Sequence, residues 1–195
     1  MTQPFRTPNF RGWRALVLHK PGPVTEALLR QFGQLGMEGS VVWPQLASGT
    51  EAAVLFFDAD LGHDGQFPWP PGQAPMPLIA LLGSEAPGRV EWALTQRPQA
   101  HLLKPLGSAG VYGALVIASH AYAAQCRLEQ EVAALKSRLS RRPAVVEAVV
   151  ALMQRDGIDT SGAAYARLRR LAMSSQRSIE DAAEDLLRPA GRRCA

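Results

Sequence analysis

Apolar residues enter this chain as short runs before position 107 and at helical spacing after it. RALVLH (residues 14–19), SVVW (40–43), AVLFF (53–57), PLIALL (77–82) and HLLK (101–104) are each of strand length and mostly apolar. That is the pattern of strands covered on both faces, not the alternation of a sheet with one wet side. Between the first two runs, Val24, Leu28, Phe32 and Leu35 recur at steps of three and four and predict a helix over 24–35 that stops near Gly36. A further helix is predicted over 87–96. FPWPPGQAPMP (67–77) cannot be helical, because proline has no amide hydrogen to donate and its ring clashes with the preceding turn. A crossover helix is therefore expected to be degenerate there. Buried strands separated by crossovers predict an α/β domain with a parallel sheet over residues 1–107.

From Ser108 the period changes. A single helix is predicted over 111–142, with Ala118, Ala121, Gln125, Leu128, Val132, Leu135 and Leu139 at alternating steps of three and four. Such a seam buries nothing on an isolated helix, so it argues for a helical pair, with Leu128, Val132, Leu135 and Leu139 as the dimerising residues. Packing of the seam on the chain's own sheet is the competing arrangement. Pro143 suits a helix's first turn and predicts a break near 140–143. Three short helices follow, over 144–155, 160–173 and 179–187. Asp159 is expected to cap the second, and Ser178 the third, with Asp181 completing a capping box. The organisation expected is 1–107, an α/β domain; 108–142, a coiled-coil helix; and 143–195, a helical module.

Composition narrows the partners. The formal net charge is +4 and the pI about 9.5, which permits a polyanionic partner without requiring one. The location of the charge says more. Between Arg141 and Arg177 stand seven arginines and three acids, an excess of four that equals the charge of the whole chain. On a helical projection Ala164, Leu168, Leu171, Ala172 and Tyr165 share one arc, and Arg167, Arg169 and Arg170 share the other. A guanidinium can fork two donors onto a phosphate or stack on a base; a merely solvated polar face is the plainer alternative. Tyr165 suits either base stacking or half-buried packing. No run approaches the length of a membrane span, and the first residues hold no apolar signal segment, so a cytoplasmic protein is expected. Cys126 and Cys194 are too few and too far apart for a disulfide framework.

Candidate chemistry is sparse. Asp58 closes the run AVLFFD and would lie in the crevice at the carboxyl end of the sheet, where Lys104 of HLLKP could join it. The sequence around His63-Asp64 holds no Cys/His cluster at metal-ligand spacing, so a loop histidine is expected, and PLGSAG around Ser108 falls short of a nucleophile elbow. There is no phosphate-binding glycine motif. Neither an enzyme, a metal nor a cofactor is expected.

Asp58 and the Lys104-Pro105 pair resemble the receiver domain of response regulators, a flavodoxin-like (CheY-like) fold. In that family the aspartate accepts a phosphoryl group, the lysine contacts it, two acids after the first strand hold magnesium, and a hydroxyl residue follows the fourth strand. Here the acid positions read His19-Lys20 and the hydroxyl position reads Leu82-Gly83. The resemblance therefore implies a degenerate phosphoacceptor pocket, with a phosphorylation-dependent regulator as the alternative function.

Farther along, Ala148, Leu152-Met153, Arg155, Ala164-Tyr165, Leu168-Arg169, Ala172-Met173, Ile179, Ala183 and Glu184 resemble, in identity and spacing, the ANTAR domain of bacterial transcription antiterminators. Many members carry a lysine where Val149 stands. With the receiver-like domain and the long helix, the chain is similar to AmiR-type (AmiR/NasT) regulators. That resemblance implies a homodimer whose three-helix module binds paired hairpins of a leader mRNA and prevents termination. It also implies control through sequestration by a ligand-sensing protein of the amide-binding (AmiC-like) type rather than through phosphorylation. The RNA-binding candidates are Arg141, Arg142, Arg155, Tyr165, Arg167, Arg169, Arg170 and Arg177.

Overall fold

The computed structural model describes residues 7–63 and 65–188. The leader before Thr7, Asp64 of the His63-Asp64 pair, and the basic tail with Cys194 lie outside the described residues. The chain divides into two compact units between Cys126 and Arg127, inside the long helix.

The first unit is built on five parallel strands: β1 (Arg14–Leu18), β2 (Glu38–Val42), β3 (Val54–Asp58), β4 (Leu78–Leu82) and β5 (Ala100–Leu103). Their spatial order is β2-β1-β3-β4-β5, the flavodoxin-like order that places the switch point between β1 and β3. Ala15 pairs with both Gly39 and Val54, and Asp58 with Leu81, so the carboxyl ends of the central strands finish level.

Successive side chains of a strand point to opposite faces, and the buried residues sort accordingly. Ala15, Val17, Val54, Phe56, Ile79 and Leu81 face α1 (Pro23–Gln34) and the first turns of α3 (Val111–Ser140), meeting Leu28, Phe32, Val111, Leu115 and Ala118. Leu16, Leu18, Leu55, Phe57, Leu78 and Ala80 pack on the other face with Ala93 of α2 (Pro87–Thr95). The expectation of strands covered on both sides holds for β1, β3 and β4. It fails for the edge strands, since β2 and β5 are largely exposed or only half-buried.

Among the described residues no helix connects β2 to β3 or β3 to β4. In place of a crossover helix, the proline-rich segment lays aromatic rings on the sheet. Phe67 stacks between Trp69 and Trp92, with ring centroids 5.6 and 6.4 Å away, and meets Phe57 edge-on. Offset stacks of this kind contribute beyond the area they bury.

The predicted long helix ends at Ser140 rather than residue 142, and its seam changes character along its length. Ala118 is fully buried under the sheet, and Gln125 accepts a hydrogen bond from Gln99. Leu128, Val132, Leu135 and Leu139 are exposed, three of them by 60% or more. The seam thus serves the domain core at one end and is bare at the other.

The second unit contains the end of α3, then α4 (Arg142–Asp156), α5 (Ser161–Ser174) and α6 (Ile179–Leu187). Ala148, Leu152, Ala164, Leu168 and Ala183 are wholly buried at its centre. Three of those five are alanines, which lets the helix axes approach closely. Gly157 ends α4 in the left-handed conformation at φ 64°, where glycine avoids the penalty of a side chain. Thr160, not Asp159, caps α5, its hydroxyl accepting from the Ala163 N–H. The capping box at α6 is present as read from the sequence: the Ser178 hydroxyl accepts from Asp181 N–H at 3.0 Å, and the Asp181 carboxylate accepts from Ser178 N–H at 3.4 Å.

Candidate functional site

The crevice at the carboxyl ends of β1, β3, β4 and β5 is filled by the chain's own charges. Asp58 is 1% exposed. Lys104 Nζ donates to Asp58 Oδ1 at 2.8 Å and lies 2.6 Å from Asp60 Oδ2. His19 donates through Nδ1 to the Lys20 carbonyl, and its Nε2 sits 3.4 Å from Asp58 Oδ2 and 3.5 Å from Lys104 Nζ. Burial alone would lower the Lys104 pKa, but Asp58 and Asp60 outweigh it and hold the ammonium above its ordinary value. Burial likewise opposes ionisation of Asp60, yet Lys104 and the Gly83 and Ser84 N–H groups hold its pKa below the ordinary carboxylate value. Asp58 and Lys104 are thus brought together as the sequence suggests, with a histidine rather than acids at the end of β1. Among the described residues no three metal-ligating side chains are grouped as a cation would need.

In the second unit α5 is two-sided. Ala164, Leu168 and Ala172 are buried, whereas Tyr165, Arg167, Arg169, Arg170 and Met173 are exposed. Tyr165, Arg169 and Met173 stand at steps of four and form one outward column. Tyr165 is 46% exposed, which leaves part of its ring open to solvent. Arg142, Arg169 and Arg170 make no ion pair among the described residues, and the Arg167 Nε stands 4.0 Å from Asp156.

The remaining arginines are engaged. Arg141 Nε donates to Glu184 at 2.6 Å and its terminal nitrogen to Asp181, tying the start of the module to α6. That pairing with Glu184 and Asp181 raises the guanidinium pKa further. It lowers Glu184, and together with the Ser178 hydroxyl it holds Asp181 at about 2. Arg155 pairs with Asp156 at 2.9 Å, and Arg177 with Asp185. Val149 is buried in the module's core.

The model of the AmiR N-terminal domain matches residues 13–119, more than half of the chain. The chain belongs to the AmiR family. The ANTAR domain model matches residues 133–187, and this member of the family is accordingly an antitermination regulator of the AmiR type, not an enzyme. It is 27% identical over 183 residues to the aliphatic amidase regulator of Pseudomonas aeruginosa, covering 92% of this chain and 93% of that one. Among solved structures it is similar to the Rec1 domain of ShkA in complex with c-di-GMP, at 24% identity and TM-score 0.45 over 56% of this chain and 95% of that one. It is also similar to full-length FixJ from B. japonicum, at 14% identity and TM-score 0.46 over 90% and 98%. Among the described residues no helix is long and apolar enough to cross a membrane.

One residue of this AmiR-family chain escapes a reading of the sequence. Asp60 lies two positions beyond Asp58 in the same DAD triplet, which is the one signal that could have marked it.

Proposed function

We propose that this protein binds paired hairpins of a leader transcript through the outward face of α5 and so prevents termination, acting as a cytoplasmic homodimer. The observation that carries the reading is the separation on α5: Ala164, Leu168 and Ala172 are consumed by the core, while Arg167, Arg169, Arg170 and Tyr165 face outward. Arg169 and Arg170 supply phosphate contacts free of competing carboxylates, and Tyr165 offers a ring to an unstacked loop base. Arg142 and Arg167 extend the field. Arg141, Arg155 and Arg177, already paired with acids, contribute less, since each must exchange a carboxylate for a phosphate. Dimerisation runs through Leu128, Val132, Leu135 and Leu139.

Control is by sequestration, with a ligand-sensing protein of the amide-binding (AmiC-like) type holding the regulator until its ligand releases it. Support comes from the crevice: an Asp58 that is 1% exposed, faced by His19 where acids would hold magnesium, is poorly placed for phosphoryl transfer. Incubation with acetyl phosphate and magnesium is expected to leave Asp58 unlabelled; label that vanishes in Asp58→Asn would restore phosphorylation as the control.

RNA titration tests the central reading. Arg169→Ala and Arg170→Ala are each expected to weaken hairpin binding by about 1 kcal/mol or more, and to flatten its dependence on salt. Two folded variants with the affinity of the parent protein would overturn the assignment of this face.

A further inference from the structure

Asp60 is held as a bound anion would be held. Its Oδ2 accepts from the Gly83 N–H at 2.8 Å and its Oδ1 from the Ser84 N–H at 3.1 Å, and Lys104 Nζ lies 2.6 Å away. Consecutive peptide N–H groups turned toward one point make an anion-binding concavity, and an ammonium at its rim adds a charge-assisted bond. The donors come from the ends of β4 and β5, whereas the carboxylate arrives on the loop after β3. The approach is close: a Cβ on Gly83 would stand 2.7 Å from Asp60 Oδ2 and 3.1 Å from Lys104 Cε, so a side chain there would displace the ends of both. Asp58 steadies the visitor, since its Oδ1 accepts from the Asp60 N–H at 2.9 Å.

We propose that Gly83 N, Ser84 N and Lys104 Nζ form an oxyanion site which Asp60 fills from within the chain, and which takes a free tetrahedral oxyanion once that carboxylate is removed. The loop after β4 is thereby fixed without any external donor of phosphate. The two N–H groups and one ammonium match three oxygens of a phosphate or sulfate, and Asp60 uses both of its carboxylate oxygens to do the same work. The inference is independent of the RNA-binding face.

Thermal unfolding of the full chain in inorganic phosphate, against sodium chloride at equal ionic strength, tests it. Asp60→Ala is expected to melt below the parent protein and to regain ~2 °C or more in phosphate, while the parent protein does not respond. Asp60→Gly also empties the cradle, and carries the same test should the alanine variant not fold. Adding Lys104→Ala is expected to abolish the response, because the site then loses its cation. The proposal is overturned if phosphate stabilises the parent protein as much as the variants, if neither folded variant responds, or if the response survives Lys104→Ala.

Discussion

Arg141 stands one residue before α4 and binds two acids of α6, and its role is internal although its charge invites an external one. It lowers Asp181 to about 2 from an ordinary 3.8. A carboxylate whose folded pKa is depressed stabilises the fold above its unfolded pKa, and that contribution disappears as pH falls through the folded value. The stabilising contribution of Asp181 is therefore complete above about pH 4, and is lost between 3.8 and about 2. In Arg141→Ala the Asp181 carboxyl is expected to titrate closer to 3.8 by carbon-detected NMR, the Ser178 hydroxyl retaining part of the shift. An unmoved midpoint would mean that the ion pair is not formed in solution. Arg169 and Arg170 make no such ion pair among the described residues, which is why their removal should cost binding and leave the fold alone.

At the scale of single elements the short helices depend on ends and faces. Ser178 starts α6 with both halves of its capping box made, so Ser178→Ala is expected to cost about 1 kcal/mol, measured by urea unfolding of the helical signal. Leu168 is wholly buried among the three helices, and Leu168→Ala is expected to cost about 2–5 kcal/mol. Most elements were legible in the sequence because they are mostly apolar or strictly periodic: five strand runs became five strands, and α6 begins and ends where its spacing says. What was not legible depends on neighbours in space. Asp159 and Thr160 both qualify as caps by chemistry, and only the local backbone selects the threonine hydroxyl. The edges of the sheet could not be told from its centre, because an apolar run has the same composition whether it is flanked by one strand or two. Ala118 and Leu128 share one heptad seam, yet the first is covered by the sheet and the second is bare. The crevice followed the same rule: Asp58 and Lys104 announce themselves as strand endings, whereas the partnership of Asp60 with the loop after β4 spans more than twenty positions.

The whole molecule couples a sheet domain to a helical module through one thirty-residue helix, whose length is about 45 Å at 1.5 Å per residue. Exposed leucines along its second half predict self-association. Leu135→Asp and Leu139→Asp are expected to convert a micromolar dimer to monomer by sedimentation velocity, since each sets a charge in a seam that must be dry. A parent protein that sediments as a monomer would refute the seam as an interface. The aromatic stack that replaces a crossover helix has one more consequence, a spectroscopic one. All four tryptophans, at positions 13, 43, 69 and 92, belong to the first unit, and Trp69 and Trp92 lie within that stack. Tryptophan emission excited at 295 nm therefore watches only the sheet domain unfold, while ellipticity is weighted toward the helices of the second unit. In Leu168→Ala the ellipticity midpoint is expected to fall and the emission midpoint to stay. If both fell together, the two units would be melting as one.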